Sequence, residues 1–388
     1  MKICFLIDSI FSYGGVQRVS AVIAKALSER HEVTIMTFDD EKNKNLEMYG
    51  LGESNINYEF LRYPNVGKIK NFACKAYSFI YRKLLPKKGL FNTLYSHSSF
   101  PSEKKDYLED KLRRGNYDVV IGTHIFLAAR LGSLRKQLKG VNLIGWIHNS
   151  YDPLFGVQNR YFVGPELAPY YIWQFQKLNH TVVLTHQDAK VYKEKHNLQV
   201  DVIYNPLTLV PGERSKGNSK RFLAVGRFEN GHKGFDLLIK AFAIFAKRNS
   251  DWCLDIVGDG PERKDYEQLI KENSLEKRVF LHPFTNNIQQ YYSNAQIYVL
   301  SSRWEGFGLV LIEAMSHGLP IVSSDLPTSK EIIGTHAHYF PVGDINALAS
   351  TLEKSTEINW QQESDDSIAW AQRFSVESIT KEWENLFQ

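Results

Sequence analysis

Lys2-Ile3-Cys4-Phe5-Leu6-Ile7-Asp8 is a short apolar run that stops at polar residues, the pattern of a buried strand. Ser12-Tyr13-Gly14-Gly15-Val16-Gln17-Arg18 follows, then apolar residues at helical spacing, Val19, Val22, Ile23, Ala26 and Leu27. His31-Glu32-Val33-Thr34-Ile35-Met36-Thr37 reads as a second strand. Strand, glycine turn, amphipathic helix and strand make a βαβ unit, and a parallel sheet follows from it. Further strand candidates are Tyr117–Gly122, Asn142–Ile147 and Thr181–Thr185. The pattern then restarts. Arg221-Phe222-Leu223-Ala224-Val225-Gly226 is a strand, and Phe235–Ala246 is a helix with Leu237, Leu238, Ala241, Phe242 and Phe245 on one face. Trp252–Val257 leads into Gly258-Asp259-Gly260-Pro261, and Val279–Leu281, Ile297–Leu300 and Ile321–Ser323 are strand candidates after it. Two successive α/β blocks predict two doubly wound domains. The joint is expected near Asn197–Leu207, where Tyr204-Asn205-Pro206 breaks the pattern ahead of the polar loop Gly212–Lys220. The sequence has no fixed-period repeat and no low-complexity tract.

The 388 residues are enough for two buried cores, and 43% hydrophobic with 23% charged residues excludes global disorder. Three scattered cysteines, Cys4, Cys74 and Cys253, argue against a disulfide framework or a zinc site. No run of about 18 apolar residues predicts a spanning helix, and the first apolar run is too short for a signal peptide, so a cytoplasmic location is expected. Charge is uneven. Residues 1–200 hold 28 Lys and Arg against 18 Asp and Glu, whereas residues 201–388 hold 19 against 25. The excess concentrates between Phe60 and Ser102, with eight Lys or Arg and no acid. Within it Ile69, Phe72, Ala73, Ala76, Ile80 and Leu84 recur near helical spacing, flanked by Lys68, Lys75, Arg82 and Lys83. Such a helix in the Lys68–Lys88 region either lies on an anionic membrane or packs on its own domain with a solvated basic edge. No nucleic-acid motif accompanies the basic run, so nucleic acid is not an expected partner.

Four constellations carry chemistry. Ser302-Arg303-Trp304-Glu305-Gly306-Phe307-Gly308-Leu309-Val310-Leu311-Ile312-Glu313-Ala314-Met315 is a glycine-rich turn before a helix, where unpaired N–H groups favour an anion. Read without that ligand, Glu305 is a helix cap and Glu313 a solvated face residue. Gly226-Arg227 with Lys233 puts two cations in one strand–helix loop, suited to a diphosphate or merely exposed on the surface. Gly14-Gly15 permits close backbone approach to a phosphate or sugar, or supplies a turn with positive φ. His148 stands just past a strand end, where open α/β sheets bind ligands; His124 has a weaker claim.

Gly14-Gly15, His148, Gly226-Arg227 with Lys233, and Glu305-Gly306-Phe307-Gly308 with Glu313, in this order, resemble the retaining family-4 glycosyltransferases of the GT-B fold, many of them bacterial cell-envelope and polysaccharide enzymes. The resemblance covers nearly the whole chain, strongest in residues 221–343. It implies an α/β protein of two Rossmann-like domains facing across a cleft. Residues 1–200 with 374–388 form an acceptor-binding domain, residues 201–373 bind the nucleotide sugar, and a helix near Val376–Phe387 crosses back to the first domain. It further implies that Arg227 and Lys233 neutralise the donor diphosphate beside Gly226. Gly308, Leu309 and Val310 would bind phosphate through their backbone, with Gly15 completing the cradle. Glu313 would take the ribose hydroxyls. Glu305, Gly306 and Phe307 would hold the transferred sugar, His148 would lie near its reactive centre, and Pro283–Phe284 beside the base. Glu305, His148, Arg227 and Lys233 form the implied catalytic set.

The chemistry requires stabilising the leaving diphosphate, and removing one preorganised donor of this kind costs about 2.7–4 kcal/mol in the barrier. No D-x-D stands at a predicted strand end, so no metal and no cofactor are expected. The expected activity is retaining transfer of a hexosyl or N-acetylhexosaminyl group from a nucleoside diphosphate, with UDP the expected carrier, to a glycan or lipid-linked glycan hydroxyl. Peripheral membrane contact at the inner face accompanies it. Arg227→Ala or Lys233→Ala is expected to lower turnover far more than it changes folding. A sugar-nucleotide epimerase of the same fold, or a non-catalytic sugar-nucleotide-binding protein, are the competing readings.

Overall fold

The computed structural model describes residues 1–156, 163–229 and 231–388. Two compact units emerge: Met1–Pro206 with Val376–Gln388, and Leu207–Ser375. The chain passes between them at Pro206–Leu207 and Ser375–Val376, a few residues beyond the 200/201 and 373/374 junctions of the sequence reading.

In the first unit, the described residues form a seven-stranded sheet of β1 (Lys2–Ile7), β2 (Glu32–Thr37), β3 (Ile56–Phe60), β4 (Val119–Thr123), β5 (Asn142–Trp146), β6 (His180–Val183) and β7 (Asp201–Val202). Their order is β3-β2-β1-β4-β5-β6-β7, and every pairing is parallel. A fully buried β1, with Ile3 to Ile7 at 2% exposure or less, reflects helices on both faces of a parallel sheet. Strand order reverses between β1 and β4, so the loops after these strands border the crevice where such sheets take ligands. The closing helix Val376–Phe387 belongs to this unit. It buries Ile379, Trp383 and Phe387, stands Trp383 edge-on to Trp146 at 4.7 Å, and ties Glu384 to His31 and Arg30 at 3.0 and 3.2 Å.

In the second unit, the described residues form a six-stranded parallel sheet of β8 (Arg221–Val225), β9 (Cys253–Val257), β10 (Val279–His282), β11 (Ile297–Leu300), β12 (Ile321–Ser324) and β13 (His338–Phe340), ordered β10-β9-β8-β11-β12-β13. Alternation along β8 fills both faces. Phe222 and Ala224 join Phe242, Leu254 and Ile256 on one side, while Leu223 joins Tyr298, Leu311 and Met315 on the other. Here the order reverses between β8 and β11, so the loops carrying Gly226–Lys233 and Ser302–Gly308 sit side by side at the carboxyl ends of adjacent strands.

Between β3 and β4 lie the helices Lys68–Leu84, Gly89–Ser99 and Ser102–Gly115. The first packs through Tyr77, Ser78 and Tyr81: Tyr81 stacks on Tyr95 at 4.2 Å and donates to Asn92, and Ser78 meets Ser98. The apolar set Ile69, Phe72, Ile80 and Leu84 is exposed, so this is not a helix packing its apolar face on its own domain. No helix among the described residues is long and apolar enough to cross a membrane.

Candidate functional site in the second unit

The loop after β8 is held by close backbone packing that only glycine permits. A Cβ on Gly258 would lie 1.8 Å from the Gly226 carbonyl oxygen, and one on Gly226 would meet the Lys233 side chain at 2.7 Å. Lys233 therefore lies across Gly226. Gly234 then turns the chain into the helix Phe235–Ala246 at φ 63°, with its Cα against the Ser301 carbonyl.

From the neighbouring loop after β11, Glu305 meets Lys233. Its Oε1 lies 2.6 Å from Lys233 Nζ and accepts from Ser302 Oγ at 2.5 Å, with the two charged side chains only 6% and 13% exposed. Burial pushes the Glu305 carboxyl up, but Lys233, His232 and Ser302 outweigh it and hold the group below its ordinary 4.5, so it is ionised at neutral pH. The other contacts staple the two loops together. Arg303 makes a fork to Asp236 at 2.9 and 2.8 Å and also donates to the Gly231 carbonyl. His232 stacks on Trp304 at 4.6 Å and donates from Nε2 to the Trp304 carbonyl at 2.7 Å, while Ser301 Oγ donates to the Lys233 carbonyl. Burial lowers the His232 pKa. Thr328 Oγ1 reaches the Glu305 carbonyl at 3.3 Å.

Gly308 adopts the left-handed conformation at φ 85° and caps the helix Leu309–Ser316 without a side-chain hydrogen bond, and the first turn carries no acid. The helix thus presents its N-terminal dipole beside the Lys233–Glu305 pair, with Gly306 and Phe307 between. Glu313 is not on a solvated face. It is 2% exposed and accepts from Tyr292 Oη at 2.9 Å, while Tyr292 stacks on His317 at 5.0 Å. Arg227 is exposed in the loop after β8, and Phe284 is exposed just past β10.

Gly15 and His148 lie in the first unit. Gly14 is extended at φ 178°, and Gly15 opens the helix Gly15–Ser28, so this double glycine does not serve a positive-φ turn. The loop before it is shaped by Asp39, which accepts from Ile10 N at 2.7 Å, Phe11 N at 3.2 Å and Ser9 Oγ at 2.6 Å. His148 follows β5, 7% exposed and 4.2 Å from Trp146; its Nε2 is buried without a hydrogen-bond partner among the described residues. His124, after β4, is a non-glycine residue held at φ 77°, a strained conformation of the kind that gathers at working sites. Burial, with His124 alongside, pushes the His148 pKa down to about 3. Its depressed value contributes stability above the ordinary 6.5 that is lost as pH falls toward the folded value. The imidazole resonances of His148 are therefore expected to show no titration between pH 8 and about 5. A midpoint near the ordinary value would contradict the buried, neutral imidazole.

The geometry unites Gly226, Lys233, Glu305 and the start of the Leu309–Ser316 helix at one strand reversal. The sequence reading missed the parts that hold them: Ser302, His232, Trp304, the Arg303–Asp236 fork and Tyr292. Asp236 two residues after Gly234 and Arg303 two before Glu305 were visible, but nothing in their spacing pairs them.

The family model described as Glycosyltransferase Family 4 matches residues 13–209, and that described as Glycosyl transferases group 1 matches residues 209–368. An uncharacterized glycosyltransferase of Haemophilus influenzae is 29% identical over 99% of both chains. The lipopolysaccharide 1,6-galactosyltransferase of Salmonella typhimurium is 31% identical over 42% of this chain and 48% of its own. Among solved structures, Anabaena Alr3699/HepE in complex with UDP and glucose superposes with a TM-score of 0.73 at 18% identity, covering 99% of this chain and 98% of that one. The chain belongs to glycosyltransferase family 4 and is a glycosyltransferase of the GT-B fold.

Proposed function

We propose that the enzyme moves a hexosyl or N-acetylhexosaminyl group from a UDP-sugar to a hydroxyl of a glycan or lipid-linked glycan, with retention and without a metal, at the surface of an anionic membrane. The observation that carries the donor assignment is the buried Lys233–Glu305 pair, set between the β8 loop and the N-terminus of the helix Leu309–Ser316. Lys233 and the exposed Arg227 supply positive charge to a diphosphate, and the amides of Leu309 and Val310 supply preorganised donors as negative charge grows on the leaving group. Glu305, fixed by Ser302 and Lys233, accepts from sugar hydroxyls together with the backbone at Gly306 and Phe307. Glu313 takes the ribose, and Phe284 lies on the base side. In the first unit, Gly15 offers backbone to phosphate, and neutral His148 offers Nε2 to a sugar hydroxyl. Retention follows same-face attack, with the leaving phosphate taking the acceptor proton. The UDP-bound Anabaena structure and the lipopolysaccharide galactosyltransferase support the carrier and the acceptor class.

A thermal-shift series tests this. UDP at 100 times its dissociation constant is expected to stabilise the protein by about 2.7 kcal/mol. The shift is expected to persist in EDTA and to disappear in Arg227→Ala/Lys233→Ala. No shift with any nucleoside diphosphate removes the donor assignment, and a shift abolished by EDTA removes metal independence.

A further inference from the structure

The two-helix hairpin Lys68–Leu84 and Gly89–Ser99 presents an unusual surface. Ile69 is 87% exposed, Phe72 75%, Phe79 65%, Leu84 77% and Leu90 70%, with Ile80 and Leu94 above 40%. Ile69, Phe72, Ala76, Phe79 and Lys83 follow the three- and four-residue steps of one helix stripe, opposite the packed stripe of Tyr77, Ser78 and Tyr81. The outer stripe is the more apolar of the two, the reverse of a helix that serves only its own domain.

Charge decides what covers it. Lys68, Lys75, Lys83 and Lys88 are exposed along this hairpin, and none has a carboxylate partner among the described residues. The nearest acid downstream, Glu103, is occupied by Lys70 at 2.7 Å. No acid occurs between Phe60 and Ser102. A second copy docked symmetrically on this face would set these lysines against their own counterparts, which opposes self-association. We infer that the hairpin is a membrane-docking face, which sinks Ile69, Phe72, Phe79, Leu84 and Leu90 into the boundary layer of a bilayer while its lysines bind anionic lipid phosphates. This deepens the membrane part of the proposed function and stands apart from the donor assignment.

Flotation with vesicles of equal parts phosphatidylglycerol and phosphatidylcholine, against phosphatidylcholine alone, tests it. The wild-type protein is expected to float with the anionic vesicles and to remain behind with the neutral ones. Lys68→Glu/Lys75→Glu/Lys83→Glu is expected to lower partitioning about 100-fold or more, from about 1 kcal/mol for each basic residue near the surface. Phe72→Ser/Phe79→Ser is expected to lower it at least tenfold while keeping the wild-type melting temperature and UDP-induced shift, because both side chains are exposed. Failure of the wild type to bind, equal binding to neutral vesicles, or undiminished binding of the serine variant overturns the inference. A wild-type dimer that the serine variant dissolves, with no lipid binding, assigns the face to self-association instead. Loss of the UDP shift in the wild type strikes the donor assignment alone.

Discussion

Lys233→Ala is expected to lower kcat about 100- to 1000-fold, the cost of removing one preorganised donor from a leaving group. It is also expected to destabilise the second unit, where the sequence alone leads us to expect turnover to fall far more than folding changes. That expectation places Lys233 on the donor diphosphate and gives it no partner within the protein. The structure puts it 2.6 Å from a carboxylate that is 6% exposed. Removing one partner leaves Glu305 buried beside Ser302 Oγ, with His232 Nε2 4.0 Å away. Breaking a buried pair in this way costs about 3–5 kcal/mol, which is about 6–20 °C in the melting of a unit this size. Two effects are therefore superimposed in one variant, and the double variant Lys233→Ala/Glu305→Gln separates them. It is expected to regain most of the melting temperature, because the orphaned charge is gone, and none of the activity. Glu305 carries a pKa below its ordinary value, so its stabilising contribution is present above the ordinary carboxylate range and is lost as pH falls through the lowered value. Lys233→Ala is expected to flatten that acid limb. A single variant that melts like the wild type would exclude the ion pair as a structural element, and one that turns over normally would exclude Lys233 from the diphosphate site.

Gly258→Ala is expected to be the most damaging methyl group in the second unit. Its Cβ would lie 1.8 Å from the Gly226 carbonyl oxygen and 3.1 Å from the Phe228 ring. Backbone on one side and a fully buried aromatic ring on the other leave no flexible side-chain end to move aside. The loops after β8 and β9 must separate, at a cost of about 4 kcal/mol or more, and Gly226 moves out from under Lys233. Thermal melting is expected to fall sharply and the UDP-induced shift to vanish with it. Gly343→Ala is the control. Gly343 has φ 84° and nothing within 4 Å of a built Cβ, so backbone strain alone, about 1–2 kcal/mol, is expected, with the nucleotide response intact. Equal melting of the two variants would mean that close packing of the β8 and β9 loops contributes nothing.

The strands were legible where a parallel sheet is covered on both sides, because every residue of a run such as Ile3–Ile7 is then apolar. β3 escaped notice because, at the edge of its sheet, Asn57 and Glu59 interrupt the run. β7 and β13 are two and three residues long, too short for any periodicity. In the site, glycines and charges announced their loops, since strand ends and turns leave local signatures. Which side chain meets which was not legible: Lys233 and Glu305 are 72 positions apart, as are His232 and Trp304. Only the order β8-β11 brings them together, and strand order is a property of the whole sheet. The basic helix Lys68–Leu84 taught the opposite lesson. Its period was plain, yet Tyr77, Ser78 and Tyr81 make its internal contacts, because their hydroxyls find Phe91 O, Ser98 and Asn92.

The helix Val376–Phe387 belongs to the unit that begins at Met1, although Leu207–Ser375 intervenes. During synthesis, the intervening unit is therefore whole while its host still lacks the Trp383 that stands against Trp146. The unit that is made first is thus finished after the one that interrupts it, and a chain truncated after Ser375 would hold every residue of the second unit while the first lacks its closing helix.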